Sequence, residues 1–246
     1  MSPEDFVMLL RKWMLDCGGM ALVAGLLASV PVTADTIAVI GTGDVAGALG
    51  PEFAALGHTI VYGSRDPSRD KVRALVERTG NGASATTPAE SVVGADIVVM
   101  AVPGTAVEAI TNGLGDLSGK IIIDPTNAID RSDDGYFKLV YDSSTAEIIQ
   151  DAAPAAYVVK AFNTLNWRTM VDPDSSGGPV SIPLVGDSAE AKATVAELVE
   201  GMGLEAIDLG PLRYARHIEG MLLVWIHNRY GGGDGPAFDY HLRKEQ

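Results

Sequence analysis

A chain of 246 residues is long enough for one large α/β domain, or for a nucleotide domain with a small appendage, so burying a core is not limiting. Its formal net charge of -14 argues against a nucleic-acid partner and against general attraction to anionic membranes. The single cysteine, Cys17, excludes an internal disulfide and a cysteine-based metal site; the four histidines, at positions 58, 217, 227 and 241, have no ligand spacing, and no metal is expected.

Residues 20–30 form an apolar, small-residue run followed by Pro31-Val32-Thr33-Ala34, which fits an exported leader cleaved after Ala34. The run is too short for a comfortable membrane span. Glu4, Asp5 and Asp16 stand beside Arg11 and Lys12 where a leader usually has a basic start, while Phe6, Leu9, Leu10, Trp13, Met14 and Cys17 fall on one helical face. A retained helix, packed on the body or on a second subunit, is the alternative for residues 1–34, and a misassigned start is a third.

Residues 37–40 have the length and branching of a strand buried on both faces, and Gly41-Thr42-Gly43 follows directly. Gly41 permits a tight turn, Gly43 lets the backbone approach a pyrophosphate, and Ala46 is small enough for helix to pack on strand, giving a G-x-G-x-x-A pattern. The start of the following helix supplies free N–H groups and a positive dipole end for an anion. Asp44 is a mild misfit beside phosphate and is read as a helix cap. The helix ends at Gly57, and a second strand at 59–62 leads into Gly63-Ser64-Arg65. An NAD site usually places Asp or Glu here; Ser64 and Arg65, with Arg69 and more remotely Lys71, suit the 2'-phosphate of NADP instead. The competing reading of Arg65 is a solvated loop residue.

Beyond Arg65, helical patterns alternate with short branched runs, the mark of a doubly wound, mainly parallel sheet. A helix at 67–79, a weak strand at 83–86 and a short helix at 88–93 precede a strong buried strand at 96–102. Its end, Ala101-Val102-Pro103, lies at the carboxyl edge of the sheet, either touching cofactor or forming an ordinary turn. A strand at 121–124 delivers Asn127 to the same edge, to hydrogen-bond a nicotinamide ribose or carboxamide, or to close a turn. Residues 131–141 (RSDDGYFKLVY) read as a loop at the substrate mouth, and a helix runs from 143 to 151. A strand at 157–160 runs into Ala161-Phe162-Asn163-Thr164, again at the ligand edge. Lys160 invites a catalytic reading, but a lysine there more often pairs with a carboxylate or stays solvated, and no catalytic residue is assigned. Residues 172–179 are a flexible loop closing a nucleotide domain of residues 35–172. The remainder, 179–246, is a small C-terminal α/β extension: strand 180–185, helix 188–202, strand 204–209, then a long helix 212–229 whose apolar side (Ile218, Met221, Leu222, Trp225 and Ile226) is a packing face, with His217 and His227 at its edges. The tail from Gly231 is an arm.

Several segments in order resemble one family. They are IGTGDVAGALG from Ile40, GSRDP from Gly63, DIVVMAVP from Asp96, GKIIIDPTNAI from Gly119, VVKAFNT from Val158, PLVGDSAEAK from Pro183 and DLGPLRYARHIEGM from Asp208. The family is the NADPH-dependent F420 reductases, also called F420H2:NADP oxidoreductases, related to the reductase domain of the STEAP metalloreductases. The resemblance implies a Rossmann fold holding NADP through Thr42, Gly43, Asp44 and Val45, with Ser64 and Arg65 on the 2'-phosphate and a deazaflavin near Ala161 and its neighbours. The chain departs from the family at Asp44, where Asn is common, in its 35-residue extension, and at Asp239-Tyr240-His241.

Hydride transfer between a nicotinamide and a deazaflavin or flavin ring needs the two carbons held about 3–3.5 Å apart with water excluded, and no obligatory acid or base. The expected protein is therefore an NADP(H)-dependent oxidoreductase with F420 or a flavin-like co-substrate, a homodimer through its last helix, and cytoplasmic unless the leader is cleaved. Two other readings stand: reduction of a small carbonyl or imine, needing Lys160, Tyr141 or Asn163 as proton donor, and a non-catalytic NADP(H)-binding sensor.

Overall fold

The computed structural model describes residues 34–230, 235–243 and 245. The leader and packing-helix readings of residues 1–33 lie outside the described residues. Ten strands and eight helices follow in chain order among the described residues: β1 (Thr36–Ile40), α1 (Asp44–Ala55), β2 (Thr59–Gly63), α2 (Asp70–Thr79), β3 (Ser84–Thr86), α3 (Pro88–Ser91), β4 (Ile97–Met100), α4 (Val107–Asn112), β5 (Ile121–Asp124), β6 (Ile129–Arg131), β7 (Phe137–Leu139), α5 (Thr145–Ala152), β8 (Tyr157–Lys160), α6 (Trp167–Val171), β9 (Ser181–Gly186), α7 (Ala189–Gly201), β10 (Glu205–Asp208) and α8 (Ala215–Tyr230).

Eight strands form one sheet in the order β10-β9-β8-β5-β4-β1-β2-β3. From β3 to β8 every neighbouring pair is parallel; β9 runs antiparallel to β8, and β10 is parallel to β9. This is the Rossmann-type, doubly wound arrangement, with the C-terminal strands continuing the same sheet. The chain steps outward from β1 to β3, then returns to lay β4 on the other side of β1, so a crevice opens beyond the carboxyl ends of β1 and β4. Both faces are covered: Ile37, Val39 and Ile123 pack into one apolar cluster, and Ala38, Ile40 and Ile122 into the other. Burial on both faces is why these strands read as continuous branched runs rather than alternating ones.

Helix α1 survives a proline in its interior. Pro51 has no N–H to give the carbonyl of Gly47, and Arg78 Nη2 of α2 donates to that oxygen instead, at 2.9 Å. Gly50 lets the helix sit down on β2, because a Cβ there would lie 2.0 Å from the hydroxyl of the buried Tyr62. The helix then stops in a Schellman turn: Gly57, at φ +103°, donates to Ala54 O and His58 donates to Phe53 O.

Four local expectations differ. Helix α2 begins at Asp70 rather than at residue 67, since Asp66 Oδ1 accepts from the backbone N–H and hydroxyl of Ser68 and holds residues 66–68 in a turn. The segment read as a loop at 131–141 contains half of an antiparallel hairpin, β6 with β7. There the Arg131 guanidinium lies 4.2 Å from the centre of the Phe137 ring and donates to Gly135 O across the turn. The last helix is preceded by a 3-10 turn at Leu212–Tyr214. The described part of the tail is docked, not a free arm: Tyr240 donates its hydroxyl to Met221 O, its carbonyl accepts from Ser181 N, and Trp225 Nε1 donates to Asp239. No described helix is long and apolar enough to cross a membrane.

Candidate functional site

The crevice at the switch point is a cleft of about 810 Å³. Its floor is the glycine turn, Gly41 to Gly43; one wall is the end of β2, and the other is Ala101, Val102 and Pro103 after β4. The two glycines serve different ends. Gly41 has φ +108°, and a Cβ on it would lie 2.2 Å from the carbonyl oxygen of Ala101, so the turn itself demands glycine. Gly43 has no protein atom within 4 Å of where a Cβ would be. It sits at the N-cap of α1 with an exposed face, and the space left bare lies against the free N–H groups of the first helical turn, a geometry suited to an anion.

The β2 wall carries the positive charge. Ser64 is buried and receives the backbone N–H of Asp66 on its hydroxyl, while Arg65, Arg69 and Lys71 are exposed and line the cleft. Among the described residues the Arg65 side chain has no hydrogen-bond or ion-pair partner. Asp66 also lines the cleft; hydrogen bonds from Ser68, with Arg69 and Arg73 adding their charge, hold its carboxyl below the usual range. It is ionised at neutral pH and orients the Ser68 turn.

Ten expected residues come together in this cleft: Gly41, Thr42, Gly43, Ser64, Arg65, Arg69, Lys71, Ala101, Val102 and Pro103. Five lie elsewhere. Asp44 is exposed at the first position of α1 and is not the cap; Gly43 occupies the N-cap position one residue earlier, and no side chain caps the helix. Val45 packs against the core. Ala161 is fully buried under the sheet edge. Asn127 and Asn163 form a second cluster, in which Asn163 Nδ2 donates to Asn127 Oδ1 and Asn127 Nδ2 donates to the carbonyl of Asn163, both at 3.0 Å. The two sites touch through Gly104, where a Cβ would lie 2.4 Å from the Asn127 carbonyl. Ile40, Gly63, Pro88, Ala106 and Ile110 also line the cleft and were not singled out as site residues; α4, which carries Ile110 and has Ala106 as its N-cap, has too few residues to display a period.

The asparagine cluster is strained and incompletely satisfied. Phe162, between Ala161 and Asn163, is held at φ +62° with its ring buried edge-on to Phe53. Asn163 Oδ1 and the hydroxyl of Thr164 are buried without a described partner. Strain and unmade hydrogen bonds at a sheet edge are the kind of feature that ligand sites retain.

Directly beneath lies a buried ion cluster. Asp124 and Lys160 are the last residues of β5 and β8 and face each other in register. Lys160 Nζ reaches Asp124 Oδ2 at 2.9 Å and Glu219 Oε1 of α8 at 2.7 Å, and also donates to the carbonyl of Thr126. Thr145, first residue of α5, donates its backbone N–H to Glu219 and lies in hydrogen-bond contact with both carboxylates through its hydroxyl. Lys160 is fully buried and paired.

Comparison with known proteins places this geometry. The profile of the family described as "NADP oxidoreductase coenzyme F420-dependent" matches residues 36–128. The F420-dependent NADP reductase of Methanothermobacter thermautotrophicus is 30% identical over 198 residues, covering 74% of this chain and 84% of the reductase. The chain belongs to the F420-dependent NADP oxidoreductase family. A solved structure from Arthrobacter sp. FB24, assigned as an F420-dependent NADP reductase, superposes with a TM-score of 0.77 at 34% identity, covering 86% of this chain and all of that one. Metalloreductase STEAP3 of Rattus norvegicus is 32% identical over 200 residues, 81% of this chain, which spans about two fifths of that protein's length (38%). Membership agrees with the Rossmann-type fold, and the family's description is of NADP-dependent oxidoreductases.

Proposed function

We propose that the protein transfers hydride between NADP(H) and a deazaflavin (F420) or flavin-like acceptor. In this reading the backbone at Gly41, Thr42 and Gly43 and the start of α1 hold the pyrophosphate, and Ser64, Arg65 and Arg69 hold the 2'-phosphate. Ala101, Val102 and Pro103 bound the nicotinamide half, with Asn127 and Asn163 next along the edge. The nucleotide contributes a hydride at its nicotinamide ring. The protein contributes position and dryness: the turn after β4 and the asparagine pair fix the edge against which a second ring stacks. Residues 35–172 carry the nucleotide and 179–246 bring α8 to the acceptor side.

The observation that carries this reading is the sequestration of Lys160. It is fully buried and bonded to Asp124, Glu219 and the Thr126 carbonyl, so it has no free donor to offer a substrate. Reduction of a carbonyl or imine needs such a donor; of the other candidates, the Tyr141 hydroxyl already points at Thr105 O, at 3.4 Å, and Asn163 presents an amide. Hydride exchange with a deazaflavin or flavin needs none. Stopped-flow oxidation of NADPH with F420, FMN and small carbonyls in parallel tests it: fast turnover with F420 or FMN is expected. Turnover with carbonyls alone overturns it, and tight NADPH binding without any turnover makes the protein a sensor. We also infer a homodimer, supported by the exposed Val224 and Tyr230 on α8, which sedimentation equilibrium checks.

A further inference from the structure

We propose that the buried Asp124–Lys160–Glu219 cluster carries a net negative charge that sets the relative affinity for oxidised and reduced nicotinamide. Asp124 and Lys160 have fully buried side chains and that of Glu219 is 2% exposed. Three of the four carboxylate oxygens face donors. Asp124 Oδ1 accepts from the Thr126 N–H and hydroxyl at 2.8 and 2.7 Å, Asp124 Oδ2 accepts from Lys160, and Glu219 Oε1 accepts from Lys160 and the Thr145 N–H. Two carboxylates thus share one ammonium, and with both ionised the cluster has a formal charge of minus one in a place that water and salt screen poorly.

A fold gains little from a buried excess charge, because an ion pair without the third group would avoid the cost of desolvating it. Its position points to a use. The cluster closes the carboxyl ends of β5 and β8, on the opposite side of β4 from the cationic wall at Arg65. A dinucleotide laid across the switch point with its 2'-phosphate on that wall extends its nicotinamide half over β4 toward this end. Thr126, which takes Lys160 on its carbonyl and gives Asp124 its N–H, is bonded to Asn127, whose backbone abuts Gly104 beside the cleft. The oxidised nicotinamide ring is positively charged and the reduced ring is neutral; the phosphates are the same in both. A fixed negative charge at this end therefore favours NADP+ over NADPH, a bias toward giving up hydride.

The inference rests on the nucleotide placement proposed above, and binding measurements separate the two. Dissociation constants for NADP+ and NADPH are measured by titration on wild type, Glu219→Gln, Asp124→Asn and the double variant Lys160→Gln/Glu219→Gln, with unfolding temperatures alongside. Glu219→Gln and Asp124→Asn each bring the cluster to neutral. In both, the ratio Kd(NADP+)/Kd(NADPH) is expected to rise on the order of tenfold, the effect of one unit charge across roughly 12 Å at an effective dielectric of about 20. The double variant restores a net charge of minus one and is expected to keep the wild-type ratio whatever it loses in stability. Asp208→Asn, which removes the partner of Lys192 on the far edge strand, is the control and leaves the ratio unchanged. A purely structural cluster would weaken both ligands together and lower the unfolding temperature without ordering the ratio by charge, and that result overturns the proposal. If wild type binds neither nucleotide, the placement itself has failed.

Discussion

Replacing each glycine of the turn by alanine separates what the fold needs from what the ligand needs. At Gly41 the backbone has φ +108°, which costs an alanine about 1–3 kcal/mol, and the new methyl would stand 2.2 Å from a backbone carbonyl that no side-chain rotation can move. A loss of about 3 kcal/mol follows, or roughly 6–12 °C in Tm for a domain of this size. At Gly43 the backbone is at φ -84° and ψ -164°, which alanine adopts freely, and the methyl meets nothing. Two small terms oppose each other there: alanine is a poorer N-cap than glycine, and it lowers the entropy of the unfolded chain, so stability stays within about 1 kcal/mol. The methyl does, however, stand where the pyrophosphate meets the helix, and NADPH affinity should fall at least about tenfold, or ~1.4 kcal/mol. Differential scanning calorimetry and fluorescence titration of NADPH read the two effects. If Gly43→Ala binds NADPH as wild type does, the turn does not hold the pyrophosphate; if Gly41→Ala melts with wild type, the contact with Ala101 is not real.

Arg65→Ala should weaken NADPH by about 1.5–3 kcal/mol, ten- to hundredfold, and leave NADH nearly untouched; equal losses for both would remove the 2'-phosphate from this wall. Lys160→Met leaves two buried carboxylates facing each other and should cost about 3–5 kcal/mol in urea denaturation, whereas a surface lysine would cost under 1. Thr164→Val deletes a buried hydroxyl with no described partner and should be neutral or stabilising by up to about 1 kcal/mol, so a marked loss would reveal a missing hydrogen bond. Burial raises the Tyr62 phenol above its ordinary 10.0, while Thr79 and Arg78 act in the other direction. The unfolded chain therefore ionises first: the stabilisation is complete below pH 10 and is lost as pH climbs through the folded value. Tyr62→Phe should flatten the fall of Tm above pH 10 relative to wild type, and identical alkaline slopes would count against that burial.

The βαβ unit was legible because its determinants are local. The strands anticipated at 37–40, 59–62, 121–124 and 157–160 appear at those places to within one residue, since branched runs flanked by glycine or proline carry their own instruction. Where a partner far along the chain decides the matter, the sequence is mute. The helix after the glycine turn was expected and is present, but the donor that replaces the missing N–H of Pro51 comes from Arg78, 27 residues later, and no local pattern announces it. The charged run at 131–141 hides a hairpin because its registering contact is a guanidinium over a ring, not an apolar alternation. Lys160 can be guessed to pair, but its partners stand 36 residues before it and 59 after. Asp44 failed as a cap for a different reason: the helix starts one residue early, with Gly43 in the capping position and Asp44 already its first residue.

The family profile ends at residue 128, just past Asn127, so it spans the glycine turn, the cationic wall and Asp124, while Lys160, Asn163 and Glu219 lie beyond it. The matches to proteins named for two different acceptors, F420 and metals, extend over 198 and 200 residues and so run past the profile into the part that holds Lys160. In the reading proposed above the acceptor half is built from β8 and α8, and it meets the nucleotide half along the β5–β8 ladder, at the asparagine pair and at the ion cluster. An acceptor can then change by altering the outer face of that half, provided Lys160 and Glu219 keep Asp124 in register. The cost of breaking the cluster, greater than that of losing any single surface contact, ties the two halves together.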